Sequence, residues 1–72
     1  MGNAKITYPN GDVYYGPVDD KNRKHGDGYI FLANNSKYIG SFSNGSITGY
    51  GAYYKDDILM NRGYWKKGKL IL

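Results

Sequence analysis

The sequence predicts an all-β chain, an elongated, twisted, single-layer antiparallel sheet made of successive β-hairpins. One short phrase is written twice, Gly26-Asp27-Gly28-Tyr29-Ile30-Phe31 and Gly49-Tyr50-Gly51-Ala52-Tyr53-Tyr54. Each copy leads to a second glycine flanked by larger residues, Tyr38-Ile39-Gly40-Ser41-Phe42 and Asn61-Arg62-Gly63-Tyr64-Trp65. The offset is 23 residues, a period typical of stacked repeat arrays. Nine Tyr, two Phe and one Trp stand beside eleven Gly. Rings pack well on a pleated surface and glycine adopts positive φ, so this pairing suits short strands joined by tight turns.

The repeat serves as a ruler along the chain. Its first column holds Asn10, Asn34 and Asp57, residue types that bond their own backbone and tolerate the left-handed region used in hairpin turns. Beside them stand Gly11, Asn35 and Ile58. Ile58 does not suit a turn, so the last hairpin is expected to have an altered connection or a shifted register. Tyr14, Tyr38 and Asn61 follow, then Gly16, Gly40 and Gly63, then Val18, Phe42 and Trp65. This last column is large and apolar and shares a strand face with the glycines, so it is the expected stacked core. The glycine between leaves room for a ring to lie against bare backbone. Ile6, Tyr8, Ile30, Leu32 and Tyr53 add alternate core positions. Three hairpins are predicted, over 4–18, 28–43 and 51–66, joined by loops at 19–27 and 44–50, all within one domain, 1–72.

A chain of 72 residues buries only about 60% of its unfolded surface, and with no cysteine it has neither disulfides nor thiolate metal sites to add stability. Aromatic packing must compensate. The phase of the repeat sets Gly2-Asn3-Ala4 against Gly26-Asp27-Gly28 and leaves the apolar tail Lys69-Leu70-Ile71-Leu72 in mid-pattern. Three outcomes are open for that tail: folding back on the last hairpin, continuation in a longer protein, or self-association. No segment approaches the roughly 20 apolar residues of a membrane helix, and no signal-peptide pattern opens the chain, so an intracellular, cytoplasmic location is expected. The acceptor triplets starting at Asn34 and Asn44 read as turns.

Little here supports catalysis. His25 is the only histidine and has no partner in sequence reach to complete a site. Asp19-Asp20 and Asp56-Asp57 read as solvated turn carboxylates, since a calcium loop closes on a Glu and the chain has none. The Gly-x-Gly phrases lack the third glycine and helix of a nucleotide loop. No catalytic residue, metal or cofactor is expected.

Tyr38-Ile39-Gly40-Ser41-Phe42-Ser43-Asn44-Gly45, followed by Gly49-Tyr50-Gly51, resembles the MORN repeat. Tyr8-Pro9-Asn10-Gly11-Asp12 and Arg23-Lys24-His25-Gly26-Asp27-Gly28 resemble further segments of the same pattern, which covers nearly the whole chain in about three repeats. Pro17, the charged loop from Asp19 to Lys24, and the changes at Ile58 and Asn61 depart from it. The resemblance implies a row of hairpins with an aromatic-lined groove. It also implies a non-catalytic role within larger proteins such as junctophilins, plant phosphoinositide kinases and a histone lysine methyltransferase, with acidic lipids or proteins as partners.

Two binding surfaces are expected. Tyr14, Tyr38, Phe42, Tyr54 and Trp65 are candidates for a protein-binding aromatic face, because Tyr and Trp anchor interfaces at small entropic cost. The competing reading is that most of these rings pack on one another as core. Protein association, along that face or with a second copy at open strand edges, is the expected function. The alternative is peripheral binding of anionic phospholipid at the cytoplasmic face of a membrane through Lys21, Arg23, Lys24, Lys66, Lys67 and Lys69, helped by the net charge of +4. Neither nucleic acid nor a small-molecule substrate is expected.

Overall fold

The computed structural model describes residues 3–71. Met1, Gly2 and Leu72 lie outside the described residues, and with them the expected roles of Gly2 in the repeat phase and of Leu72 in the tail. The chain is all-β, with no helix among the described residues. Seven strands form one open antiparallel sheet in sequence order. They are β1 (Asn3–Thr7), β2 (Val13–Pro17), β3 (Gly26–Leu32), β4 (Ser36–Ser43), β5 (Ser46–Lys55), β6 (Ile58–Lys66) and β7 (Lys69–Leu70). The body measures 31 × 24 × 15 Å, the proportions of a short array.

Turn chemistry places the strands. In the first turn the Asp12 N–H donates to Asn10 Oδ1 at 3.0 Å, and Gly11 takes a φ of 99°. In the second, Ser36 N–H donates to Asn34 Oδ1 at 3.2 Å while Asn35 is left-handed. The turn column is therefore right in place, with the left-handed residue shifted to Gly11 and Asn35. The last hairpin turns on Asp56 and Asp57, both left-handed. A bulge follows, since Tyr53 faces Asn61 whereas Tyr54 faces Leu59. The expected register shift is present, and an extra residue in β6 produces it.

Both predicted loops are shorter than expected, and β3 already pairs with β4 at Gly26 and Asp27, inside the predicted loop 19–27. The segment 44–50 is not a loop: Asn44-Gly45 alone makes the turn, and β5 pairs with β4 from Ser46 onward. Asn44 and Gly45 both hold positive φ, so a two-residue hairpin turn suffices and the following residues are free to pair. As far as Ile71 the tail folds back on the last hairpin. Lys67-Gly68 repeats the Asn44-Gly45 turn one period later, and β7 folds back on β6.

A row of small residues crosses the sheet. Ala4 faces Gly16, and Gly28, Gly40, Gly51 and Gly63 follow in adjacent strands. Tyr14 and Tyr38 stand two residues before Gly16 and Gly40 and lie across this bare backbone. A Cβ on Gly16 or Gly28 would approach the Tyr14 hydroxyl to 2.7 Å. These glycines are needed for close approach.

One face of the sheet carries the core of Tyr14, Ile30, Tyr38, Phe42 and Trp65, with Ile6, Tyr8, Val18, Leu32, Ile47, Tyr53 and Leu70 packed against it. Phe42 and Trp65 are core as expected, while Val18 is only half-buried at its edge. The rings form a chain of edge-to-face contacts: Tyr14 to Phe42 at 5.0 Å, Phe42 to Tyr38 at 5.2 Å, Tyr38 to Trp65 at 5.6 Å. Each such pair is worth about 0.5–1.5 kcal/mol beyond area burial. Polar ends are satisfied. Tyr14 OH donates to the Pro17 carbonyl at 2.6 Å, Tyr38 OH to that of Ser41 at 3.1 Å, and Trp65 Nε1 to that of Gly51 at 3.0 Å.

Candidate functional site

Alternation along a strand sends neighbouring side chains to opposite faces. Tyr14 and Tyr15 are adjacent, as are Tyr53 and Tyr54, and Tyr64 and Trp65. In each pair one ring enters the core and the other faces outward. Four of the five residues expected to form a protein-binding face fall on the core side. Tyr14 and Tyr38 have no exposed surface, Phe42 retains 3% and Trp65 9%. That placement corrects the expectation that they line an open groove, because the ring-on-glycine packing that orders them also covers them. Tyr54 alone lies on the outer side, half-buried, with Lys37 Nζ 5.2 Å from its ring centre.

The outer face has its own rings, which the sequence reading did not assign to it. Tyr15, Tyr29 and Phe31 cluster across β2 and β3, with Tyr15 stacked on Tyr29 at 5.4 Å and Phe31 edge-on to Tyr29 at 5.5 Å. Tyr50 and Tyr64 pair across β5 and β6 at 5.2 Å. Ile39 stands between the two groups in register with Tyr29 and Ala52. Tyr29, Phe31, Ile39, Tyr50 and Tyr64 each leave between 41% and 64% of their surface in solvent. The signal for this face lay in the alternation: rings one residue out of phase with the Tyr14 and Tyr38 column belong on the other side. A shallow groove of about 560 Å³ opens there, between Lys5, Tyr15, Pro17, Asp27, Tyr29 and Ile39.

The basic residues gather along one turn edge. Gly45 N–H donates to the Lys24 carbonyl and Gly68 N–H to that of Ile47, both at 2.9 Å. Residues 18–25 and the turns 44–45 and 67–68 are thereby stacked one period apart, and Lys24 and Lys67 border the same hollow of about 200 Å³. Not all of these charges are free. Arg23 Nε pairs with Asp19 Oδ2 at 2.7 Å. Asp19 Oδ1 also accepts from the backbone N–H groups of Arg23 and Lys21, and these bonds, that from Arg23 foremost, hold the carboxyl below its ordinary range. Lys24 Nζ donates to Tyr8 OH at 3.1 Å and lies 4.8 Å from that ring's centre. Lys21, Lys66, Lys67 and Lys69 are exposed.

His25 sits behind this edge, its N–H donating to the Pro17 carbonyl at 3.1 Å and its Nδ1 buried without a partner. Among the described residues no three His, Cys, Asp or Glu side chains gather as metal ligands, and no helix is long and apolar enough to cross a membrane. No protein-family model matches this chain, and no curated protein matches it.

Proposed function

We propose that this chain is a MORN-type, non-catalytic repeat module of the cell interior that binds a protein partner, and that the partner docks on the outer aromatic face. The carrying observation is the exposed run of Tyr29, Phe31, Ile39, Tyr50 and Tyr64 on a single sheet face. Scattered exposed apolar residues need no explanation, but a contiguous patch of rings marks an interaction site. Tyrosines suit it, since each buries much area, loses few rotamers and keeps a hydroxyl for the rim. The test is a benzoylphenylalanine photo-crosslinker placed at position 50, and separately at position 21, in the native cell. A protein adduct at 50 that is missing at 21 supports the face; adducts from 21 alone would move the site to the basic edge.

A second reading has its own observation, the stacking of both basic clusters on one edge. Such an edge suits an anionic membrane surface, at about 1 kcal/mol per basic residue close to the leaflet. Asp19 and Asp20 weaken it. Sedimentation with anionic vesicles at low and high salt tests this reading, since screening abolishes charge-driven docking. Vesicle binding that survives reversal of Lys66, Lys67 and Lys69 to Glu removes that loop from the account.

A further inference from the structure

The groove on the outer face crosses β3 and β4, two interior strands that each pair with a neighbour on both sides. Its form follows from the strand period. Asp27 and Tyr29 stand two residues apart in β3, on the same face and about 7 Å apart along the strand. Their register partners in β4 are Ser41 and Ile39. One wall of the groove is therefore apolar, Tyr29 continued by Tyr15 and Ile39, and Asp27 stands opposite it.

Asp27 differs from the other acids of the chain. Asp12, Asp19, Asp20, Asp56 and Asp57 lie in turns or loops, whereas Asp27 lies within a strand, exposed. Ser41 Oγ donates to its Oδ1 at 2.7 Å, which holds the carboxylate against β4. Among the described residues no Lys, Arg or His forms an ion pair with it. The lysines of this face are engaged elsewhere. Lys5 Nζ lies 5.7 Å from the centre of the Tyr15 ring, and Lys37 Nζ lies 5.2 Å from that of Tyr54 and 3.6 Å from Asp57 Oδ1.

A carboxylate is costly to cover unless it is paired. A partner that docks on the aromatic face covers Asp27, so the matching charge has to come from the partner. Rings beside a carboxylate favour arginine over lysine, because guanidinium is the more weakly hydrated cation, packs on aromatic surface and brings a fork of donors. Lys5, which lines the same groove, repels a second cation, so a lone arginine fits better than a basic run.

We infer that the partner's anchor in this groove is an arginine side chain, its guanidinium on Asp27 and its aliphatic stem along Tyr29 and Ile39. The inference rests on the protein-binding reading above. It gives that partner a chemistry opposite to the one the net charge of +4 would select.

Three blocked peptides of glycine and valine, alike except for a central arginine, citrulline or glutamate, test this by NMR titration into the isotope-labelled whole chain. Citrulline keeps the shape of arginine without its charge. The arginine peptide should shift the amides of Asp27, Tyr29, Ile39 and Ser41 at millimolar concentration, and bind roughly three- to tenfold more tightly than the citrulline peptide. Asp27→Asn should remove that preference and Asp27→Lys should turn it toward glutamate, while the indole resonance of the core residue Trp65 reports that both variants stay folded. Equal affinity for arginine and citrulline, shifts confined to the turns at Asp19-Asp20 and Asp56-Asp57, or a preference that survives Asp27→Asn overturns the inference. The two readings fail separately: a crosslink from position 50 that persists unchanged in Asp27→Asn keeps the docking face and removes the arginine anchor.

Discussion

The ring of Tyr38 occupies the space that Gly51, on the neighbouring strand, leaves empty. The hydroxyl and two ring carbons of Tyr38 are the atoms nearest to where a Gly51 Cβ would stand. Gly40, two residues along from Tyr38, faces Gly51 in the same row, so one ring is seated on two strands.

Gly51→Ala should therefore destabilise the fold by about 1–3 kcal/mol through overpacking. A double-mutant cycle with Tyr38→Leu, read by urea unfolding, should show that the added methyl costs less once the ring is gone. Strict additivity of the two changes would rule out the ring-on-glycine account.

Tyr14→Phe removes a bond of 2.6 Å from a fully buried ring to the Pro17 carbonyl. The expected loss is about 0.5–1.5 kcal/mol. Amide exchange should quicken at Asp19 and His25, whose N–H groups are held by the neighbouring loop. Unchanged exchange there would mean that the bond does not anchor residues 18–25.

Trp65 is the only tryptophan and leaves 9% of its surface exposed. Trp65→Ala should cost about 3–5 kcal/mol, against a total stability of about 5–15 kcal/mol for a typical domain. Circular dichroism should show a largely unfolded chain or a sharply lowered Tm. A near-native Tm would indicate that β6 and β7 fold without the indole.

Alkaline pH should weaken the fold. Burial raises the Tyr14 and Tyr38 hydroxyls above the ordinary tyrosine value, which is about 10. A group whose pKa is higher folded than unfolded contributes stability that is complete below the unfolded value and is lost as pH rises through the folded one. Urea midpoints should be insensitive to these two groups up to about pH 9 and fall beyond about pH 10. The fall should shrink in Tyr14→Phe and Tyr38→Phe. A flat profile to pH 11 would contradict the burial of these hydroxyls.

Tyr50 and Tyr64 should behave differently from the core rings. Their pair spans two strands at 5.2 Å with more than half of each surface exposed. Replacing either with Ser should cost only about 0.2–1 kcal/mol, and Tyr64→Ser should abolish partner crosslinking from position 50. A loss of stability on the scale of Trp65→Ala would recast the pair as structural.

Much of this architecture was legible in the residue pattern, for local reasons. A two-residue period sets each strand, asparagine, aspartate and glycine set each turn, and the in-phase glycines set the row that joins strands into one sheet. The register shift of the last hairpin, which falls at Met60, could be anticipated because the β-branched Ile58 stands in the turn column of the repeat. The two-residue turn at Asn44-Gly45 was missed because Ser46 to Tyr50 carries no long apolar run; its strand state comes from pairing with β4. Which rings would be covered was a different kind of question. Tyr14 and Tyr15 are the same residue type one place apart, and nothing intrinsic to either ring assigns it to the core. Packing makes that choice: the face bearing the glycine row admits rings lying on backbone, so Tyr14 and Tyr38 are sealed in while Tyr15, Tyr29, Tyr50 and Tyr64 are left facing solvent. The basic clusters likewise lie two periods apart along the chain and meet only because turns one period apart stack through the Gly45 and Gly68 amides. Strand identity is a property of neighbours in sequence, whereas exposure is a property of neighbours in space.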